Sequence, residues 1–222
     1  MNKPIVPLPS SEETAAHGAA IIGKMEAFQS GDGDAKRLAI TTTVIAETRD
    51  WVEKAVIGLN LCPFAKAVYL NDRIRYCVSE AQSEAALLVD LSRELRALRT
   101  ADPQTCETAL LIHPRALTEF LDYNDFLGVA EAMVEALGLT GQLQIASFHP
   151  RYQFAGSGPD DIENYTNRSP YPMLHLLRES SVERAALATA DVSTIPARNM
   201  ETLRRLGLQG WRRLWLAAPS ED

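Results

Sequence analysis

Apolar positions begin to recur in a regular way near Thr41. From there Val44, Ile45, Thr48, Trp51, Val52, Ala55, Val56 and Leu59 follow one another at three- and four-residue steps, which predicts one apolar helical face stopped at Gly58 and Asn60. Leu61-Cys62-Pro63-Phe64-Ala65-Lys66 predicts a fresh helix start, with Pro63 suited to the first helical position and Cys62 at or beside the cap. Ile74 to Ser79 alternates like a strand, and Ser83 to Arg99 carries Leu87, Leu88, Leu91, Leu95 and Leu98 at helical spacing. Ala109 to Ile112 reads as a buried strand ending at His113-Pro114. A second helical pattern, from Phe120 to Leu137, is stopped by Gly138. Leu143 to Phe148 is a third strand, and it too ends in His-Pro, at His149-Pro150. Beyond a long connection, Ser169-Pro170 predicts the cap and first turn of a helix through PYPMLHLLRES, with Tyr171, His175 and Arg178 on one face. The C-terminal pattern predicts two short helices broken at Gly207 and Gly210.

Strand, helix, strand, helix, strand in this order predicts the α/β class: a single domain over residues 41–218 with a small, mostly parallel sheet covered by helices. Residues 1–40, with Pro4, Pro7, Pro9 and the Ser30–Asp34 run, predict a disordered N-terminal tail holding at most one helix from Glu12 to Phe28, with His17 solvated. In a parallel sheet the strands finish at one edge. Ser79, His113 and His149 would then share the rim where open α/β sheets bind ligands. An antiparallel, ferredoxin-like sheet is the alternative and would put the two histidines at opposite ends.

Composition narrows the function classes. Hydrophobic residues make up 46% of the 222-residue chain, enough for a core without staples. The net charge of -7 disfavours nucleic acid as the main partner, because such binding draws on Lys and Arg. The most basic cluster, Arg204, Arg205, Arg212 and Arg213, is expected to be a solvated face, with an RNA or partner patch ranked below it. Three cysteines and the absence of a cationic, apolar leader disfavour a disulfide framework and point to a cytoplasmic protein. No apolar run approaches the ~18 residues of a membrane span.

Candidate chemistry concentrates between Gln142 and Glu179. Roughly 20 residues of irregular backbone between two regular elements, rich in polar and aromatic side chains, are expected to line a site. His113, His149, His175 and Cys62 offer a nitrogen and sulfur set for zinc or another transition metal, although none sits in a diagnostic spacing. Alternatively Cys62 is a nucleophile with His149 or His113 as base and Asp160 or Asp161 orienting the imidazole. Arg151 and Arg168 suit a carboxylate or phosphate, and Tyr152, Phe154 and Tyr165 suit pocket walls. Asn164, Asn167 and His175 complete the expected substrate contacts. The competing reading has the same arginines pairing with loop acids, the asparagines serving turns and the histidines ending strands.

The strings GLNLCPFAK at Gly58, SFHPRYQFAG at Ser147 and NYTNRSPYPMLHLLRE at Asn164 resemble a bacterial family known only as the domain-of-unknown-function family numbered fourteen-fifteen. The likeness runs from about Val44 to Trp215. It implies a cytoplasmic bacterial protein and no particular reaction. The residues themselves lead to an expected enzyme of hydrolase or group-transfer type, acting on a small polar or anionic substrate under the 150–169 loop. The alternative is a non-catalytic, anion- or partner-binding regulatory module.

Overall fold

Alternation along four strands sends one set of side chains into a helix-covered core and the other into a partly covered face, and this asymmetry organises the molecule. The structure is a computed structural model and describes residues 34–187 and 192–215. Contacts divide the chain into Met1–Thr43 and Val44–Asp222. In the first unit residues 34–43 are helical, although residues up to 40 were expected to be tail. The rest of that expectation, including the helix from Glu12 to Phe28 and His17, lies outside the described residues. Every element below belongs to the second unit.

Residues 44–51 are helical (α1) and run into a π-helical turn, Val52–Ile57. Gly58 closes that turn by donating to the Glu53 carbonyl at 2.9 Å. A Cβ at this position would lie 2.3 Å from the backbone oxygen of Lys54, so only glycine fits. Then come α2 (Ala65–Leu70), β1 (Ile74–Val78), α3 (Glu84–Thr100), β2 (Thr108–Ile112), α4 (Phe120–Ala136), β3 (Leu143–Phe148), β4 (Met173–Arg178), α5 (Glu179–Leu187) and α6 (Ile195–Arg213). Ser83 caps α3 by accepting from the Ala86 N–H, and Leu87, Leu91, Leu95 and Leu98 on its inner face are fully buried. Each such leucine contributes roughly 1.5–3 kcal/mol of burial.

The sheet order is β1-β2-β4-β3. β1 and β2 are parallel, while β4 runs antiparallel to both β2 and β3. The expected mostly parallel sheet is therefore a mixed one. The crossover through α4 leaves room for one strand between β2 and β3, and β4 fills it from the opposite direction. β1, β2 and β3 still share one sense, so Ser79, His113 and His149 follow strand ends on a single edge.

The segment predicted as a helix after Ser169 is the central strand β4. Leu174 and Leu176 point into the core, and Met173, His175 and Leu177 to the other face, with His175 opposite Leu110 on one side and Ala146 on the other. The leucine spacing also matched a helix. Pairing on both sides satisfies this buried backbone, and that decides for the strand. Helix starts only at Glu179.

Both crossover helices lie on the same face, where Leu87, Leu91, Tyr123 and Phe126 pack on Ala109, Leu111, Leu174 and Leu176. The expected cover of helices is correspondingly uneven. Among the described residues the second face carries the end of α1, the π turn, the segment around α2, and α5, and between them a cavity remains. No helix among the described residues is long and apolar enough to cross a membrane.

Candidate functional site

The cavity on the second sheet face has a volume of about 690 Å³. Its floor consists of alternate residues of four strands: Ile74, Thr108 and Leu110, Gln144, Ala146 and Phe148, and His175 and Leu177. Its roof is apolar, built from Trp51, Val52 and Val56 of the N-terminal helical segment and from Phe64, Ala67 and Val68 around α2. Trp51 meets Phe148 edge to face at 5.2 Å and is fixed by its indole N–H donating to the Arg168 carbonyl at 3.0 Å. Phe148 in turn lies 6.1 Å from the His175 ring.

Two chemically active side chains face this space, Cys62 and His175. Cys62 is placed there by the π turn. Asn60 adopts a left-handed backbone (φ 55°), and the N–H groups of Leu61 and Cys62 both return to the Val56 carbonyl. Burial pushes the Cys62 thiol up, while the backbone N–H groups of Phe64 and Ala65, at the entry to α2, pull it down and only partly offset that effect. The helix starts later than expected, with Phe64 at the cap and Cys62 and Pro63 before it, yet its first N–H groups reach the sulfur; desolvation wins and the thiol stays protonated at neutral pH.

His175 has a defined tautomer. The Thr108 hydroxyl donates to the Leu176 carbonyl at 2.6 Å, so its oxygen accepts from His175 Nε2–H at 2.8 Å. Nδ1 then carries the lone pair, on a ring that lines the cavity. Burial pushes this imidazole down to about 4, so it is neutral and can accept from a ligand.

The charged residues of the lining sit at one end. Arg73 precedes β1, Glu107 precedes β2, Arg178 ends β4 and Arg184 lies on α5. Glu107 pairs with Arg73 at 2.9 Å and with Arg184 at 3.0 Å. Arg178 uses one terminal nitrogen on the carbonyls of Leu98, Ala101 and Cys106. The charged end therefore holds three arginines and one carboxylate.

The model of a family of proteins of unknown function, DUF1415, matches residues 43–213. The chain belongs to the DUF1415 family. The match begins one residue before, and ends two before, the Val44–Trp215 span of the likeness in the motifs. It takes in the cavity, the long loop and the whole of α6. No curated protein and no solved structure matches the chain.

In this DUF1415 chain the loop after His149 spends its polar groups on its own backbone, on β3 and on the segment that leads into α4. His149 Nδ1 accepts from the Arg151 N–H at 3.0 Å, which puts the ring proton on Nε2, donated to the Leu117 carbonyl at 3.2 Å. Asn164 is fully buried, its Oδ1 accepting from the Phe154 N–H and the Ser157 hydroxyl and its Nδ2 donating to the Gly158 carbonyl. Asn167 donates to the Ser147 carbonyl, and Asp161 accepts from the Gly158 N–H. Arg168 donates to the carbonyls of Tyr152 and Pro159 and lies over the Tyr165 ring, and Arg151 pairs with Glu119 and the Thr118 carbonyl. Tyr152 packs between Phe120 and Phe154. The loop expected to cover the site is thus held in place by its own candidate residues, and Tyr165 and Arg168 also line a separate space of about 460 Å³ with Trp51, Lys54 and Trp211. An irregular backbone has no ladder, so side chains must satisfy it.

The four expected metal ligands separate into two pairs. His113 and His149 flank Tyr123 at the carboxyl edge of the sheet, with ring centroids 5.8 and 5.1 Å from it. Cys62 and His175 line the cavity, which neither edge histidine lines. Among the described residues no three His, Cys, Asp or Glu side chains are placed together as ligands for a metal ion. His113 Nδ1–H donates to the Ala116 carbonyl, while Nε2 is buried with no partner; burial pushes this ring down to about 4. All three cysteines are free. Cys77, which donates to the buried Glu94 at 3.0 Å, is pushed up to about 12, first by burial. Arg204 in the basic cluster pairs with Glu163.

Sequence reasoning missed Thr108, Leu110, Ala146 and Phe148. Their signal is the alternation of β2 and β3, read with Thr108, Gln144 and His175 as polar interruptions on a single face. That reading requires β4 to be known as a strand.

Proposed function

We propose that the domain binds a small, largely apolar organic molecule in the cavity on the second sheet face, which His175 and Cys62 line. One observation carries this reading: an apolar space within the usual size range of ligand pockets that contains few polar groups, among them an imidazole whose Nδ1 carries the lone pair. Ala146 lies in the floor opposite His175, so a large side chain there would occupy the ligand's place. Nile red, an uncharged dye whose emission reports an apolar environment, is expected to brighten with the wild type and not with Ala146→Phe, whose fold is checked by far-ultraviolet circular dichroism. Equal brightening with both proteins would sink the reading.

A second reading keeps the expected group-transfer chemistry but moves it from the loop to this cavity. It is favoured by the two N–H groups that Phe64 and Ala65 direct at the Cys62 sulfur and by the lone pair of His175 in the same space. In that version the Cys62 proton passes to His175 Nδ1, the sulfur attacks an acyl carbon, and the leaving group takes the proton as the thioester forms. The raised thiol and lowered imidazole both oppose the first of these transfers, so binding is the leading reading. A covalent adduct of one acyl group on wild type and none on Cys62→Ala, seen by mass spectrometry after incubation with an activated ester, would favour the second.

A further inference from the structure

The cavity is polar at one end and apolar at the other, and strand register gives the direction. Arg73, Glu107 and Arg178 lie where β1 and β2 begin and β4 ends, and Arg184 on α5 joins them. At the middle of the floor His175 pairs with Leu110 and Ala146. At the opposite end Phe148 closes β3 against Trp51. From Gln144 to Phe148 the strand rise gives about 13 Å, the length of a straight chain of roughly ten carbons.

The charges at the polar end do not cancel. Glu107 is shared by Arg73 and Arg184, and Arg178 has no carboxylate partner among the described residues. An anion entering here would be drawn by the excess positive charge and would meet guanidinium groups suited to bind it in a bidentate way. The apolar end offers a second anion nothing.

We infer that the ligand is an elongated amphipathic monoanion, an unbranched carboxylate of medium chain length, with its head at Arg184 and Arg73 and its tail against Phe148 and Trp51. This rests on the cavity being a ligand site, as proposed above. The side chain of Arg184 is 65% exposed, so it can be changed with little risk to the fold.

The test is displacement of Nile red from the full chain by hexanoate, decanoate, hexadecanoate and the uncharged decanol. Decanoate is expected to bind about tenfold more tightly than decanol and more tightly than either other acid, a preference that Arg184→Ala cuts to about threefold or less and Arg184→Lys largely keeps. Decanol equal to decanoate, with both excluded by Ala146→Phe, would overturn the inference and leave the cavity reading standing. Binding to Ala146→Phe is read by isothermal titration calorimetry, since the dye is expected not to enter that variant; decanoate binding that survives the substitution unchanged would place the acid elsewhere and overturn the inference. If neither the dye nor any of these molecules binds, both readings fall together.

Discussion

Asn164 shows what a single side chain does in the long loop. It is fully buried and makes three hydrogen bonds, two accepted and one donated, to a stretch of backbone that belongs to no sheet. Asn164→Ala leaves the Phe154 N–H and the Gly158 carbonyl without their partner in a site too enclosed for easy rehydration. The expected loss is about 2–4 kcal/mol in urea unfolding. A change below about 0.5 kcal/mol, the usual range for a surface position, would mean the loop does not depend on this residue. Cys62 gives the second residue-scale prediction. Because burial outweighs the helix-start N–H groups, its alkylation by iodoacetamide at neutral pH should be slower than that of a free thiol and still be rising at pH 9, the ordinary value for a thiol. A rate that levels off below pH 7 would identify an activated thiolate and favour the acyl-transfer reading.

At the scale of elements, α6 depends on one glycine. Gly207 has φ 64° and ψ 171°, a conformation open to glycine and strained for other residues, and it divides Ile195–Arg213 into two helical pieces. The bend lets Trp211 meet Tyr165 edge to face at 5.1 Å, tying the C-terminal helix to the loop. Gly207→Ala meets no steric obstacle, so its expected cost of about 1–3 kcal/mol is conformational. Tryptophan fluorescence should shift as Trp211 becomes more exposed; unchanged stability and emission would show that the bend is not needed. The same scale explains what was legible in the sequence. α3, β2, α4 and β3 each carry one clear period and clear stops, and their predicted limits differ from the observed ones by a few residues at most. β4 carries two periods at once, since Leu174 and Leu177 fit a helix while Leu174 and Leu176 fit a strand. Only its place between β2 and β3 decides. The cavity was illegible for the same reason. Its floor is a set of alternate residues from four strands, and losing β4 loses His175 from the set. The polar density of the 149–169 loop was visible, but density alone does not separate a loop that binds a ligand from one that satisfies its own backbone.

For the whole molecule, the histidines set the response to acid. His113 and His175 are pushed down to about 4 and His149 is also lowered, each mainly by burial, against an ordinary value near 6.5 in the unfolded chain. Between those values the unfolded state binds protons that the folded state refuses, so stability falls as pH drops below about 6.5 and levels off near the folded values. A shift from 6.5 to about 4 corresponds to roughly 3 kcal/mol for each of His113 and His175, a large share of the 5–15 kcal/mol that usually holds a domain together. The urea midpoint should therefore decline steadily from pH 6.5 to pH 4. His113→Asn keeps a donor near the Nδ1 position for the Ala116 carbonyl and removes the titration. It should reduce the slope of unfolding free energy by about 1.4 kcal/mol per pH unit over this range, whatever its cost at pH 7. His175→Gln, whose amide takes the place of Nε2 beside Thr108, should do the same. A midpoint constant from pH 7 to pH 5 would show that these imidazoles are hydrated in solution, and the enclosed cavity floor at His175 would have to be given up with them.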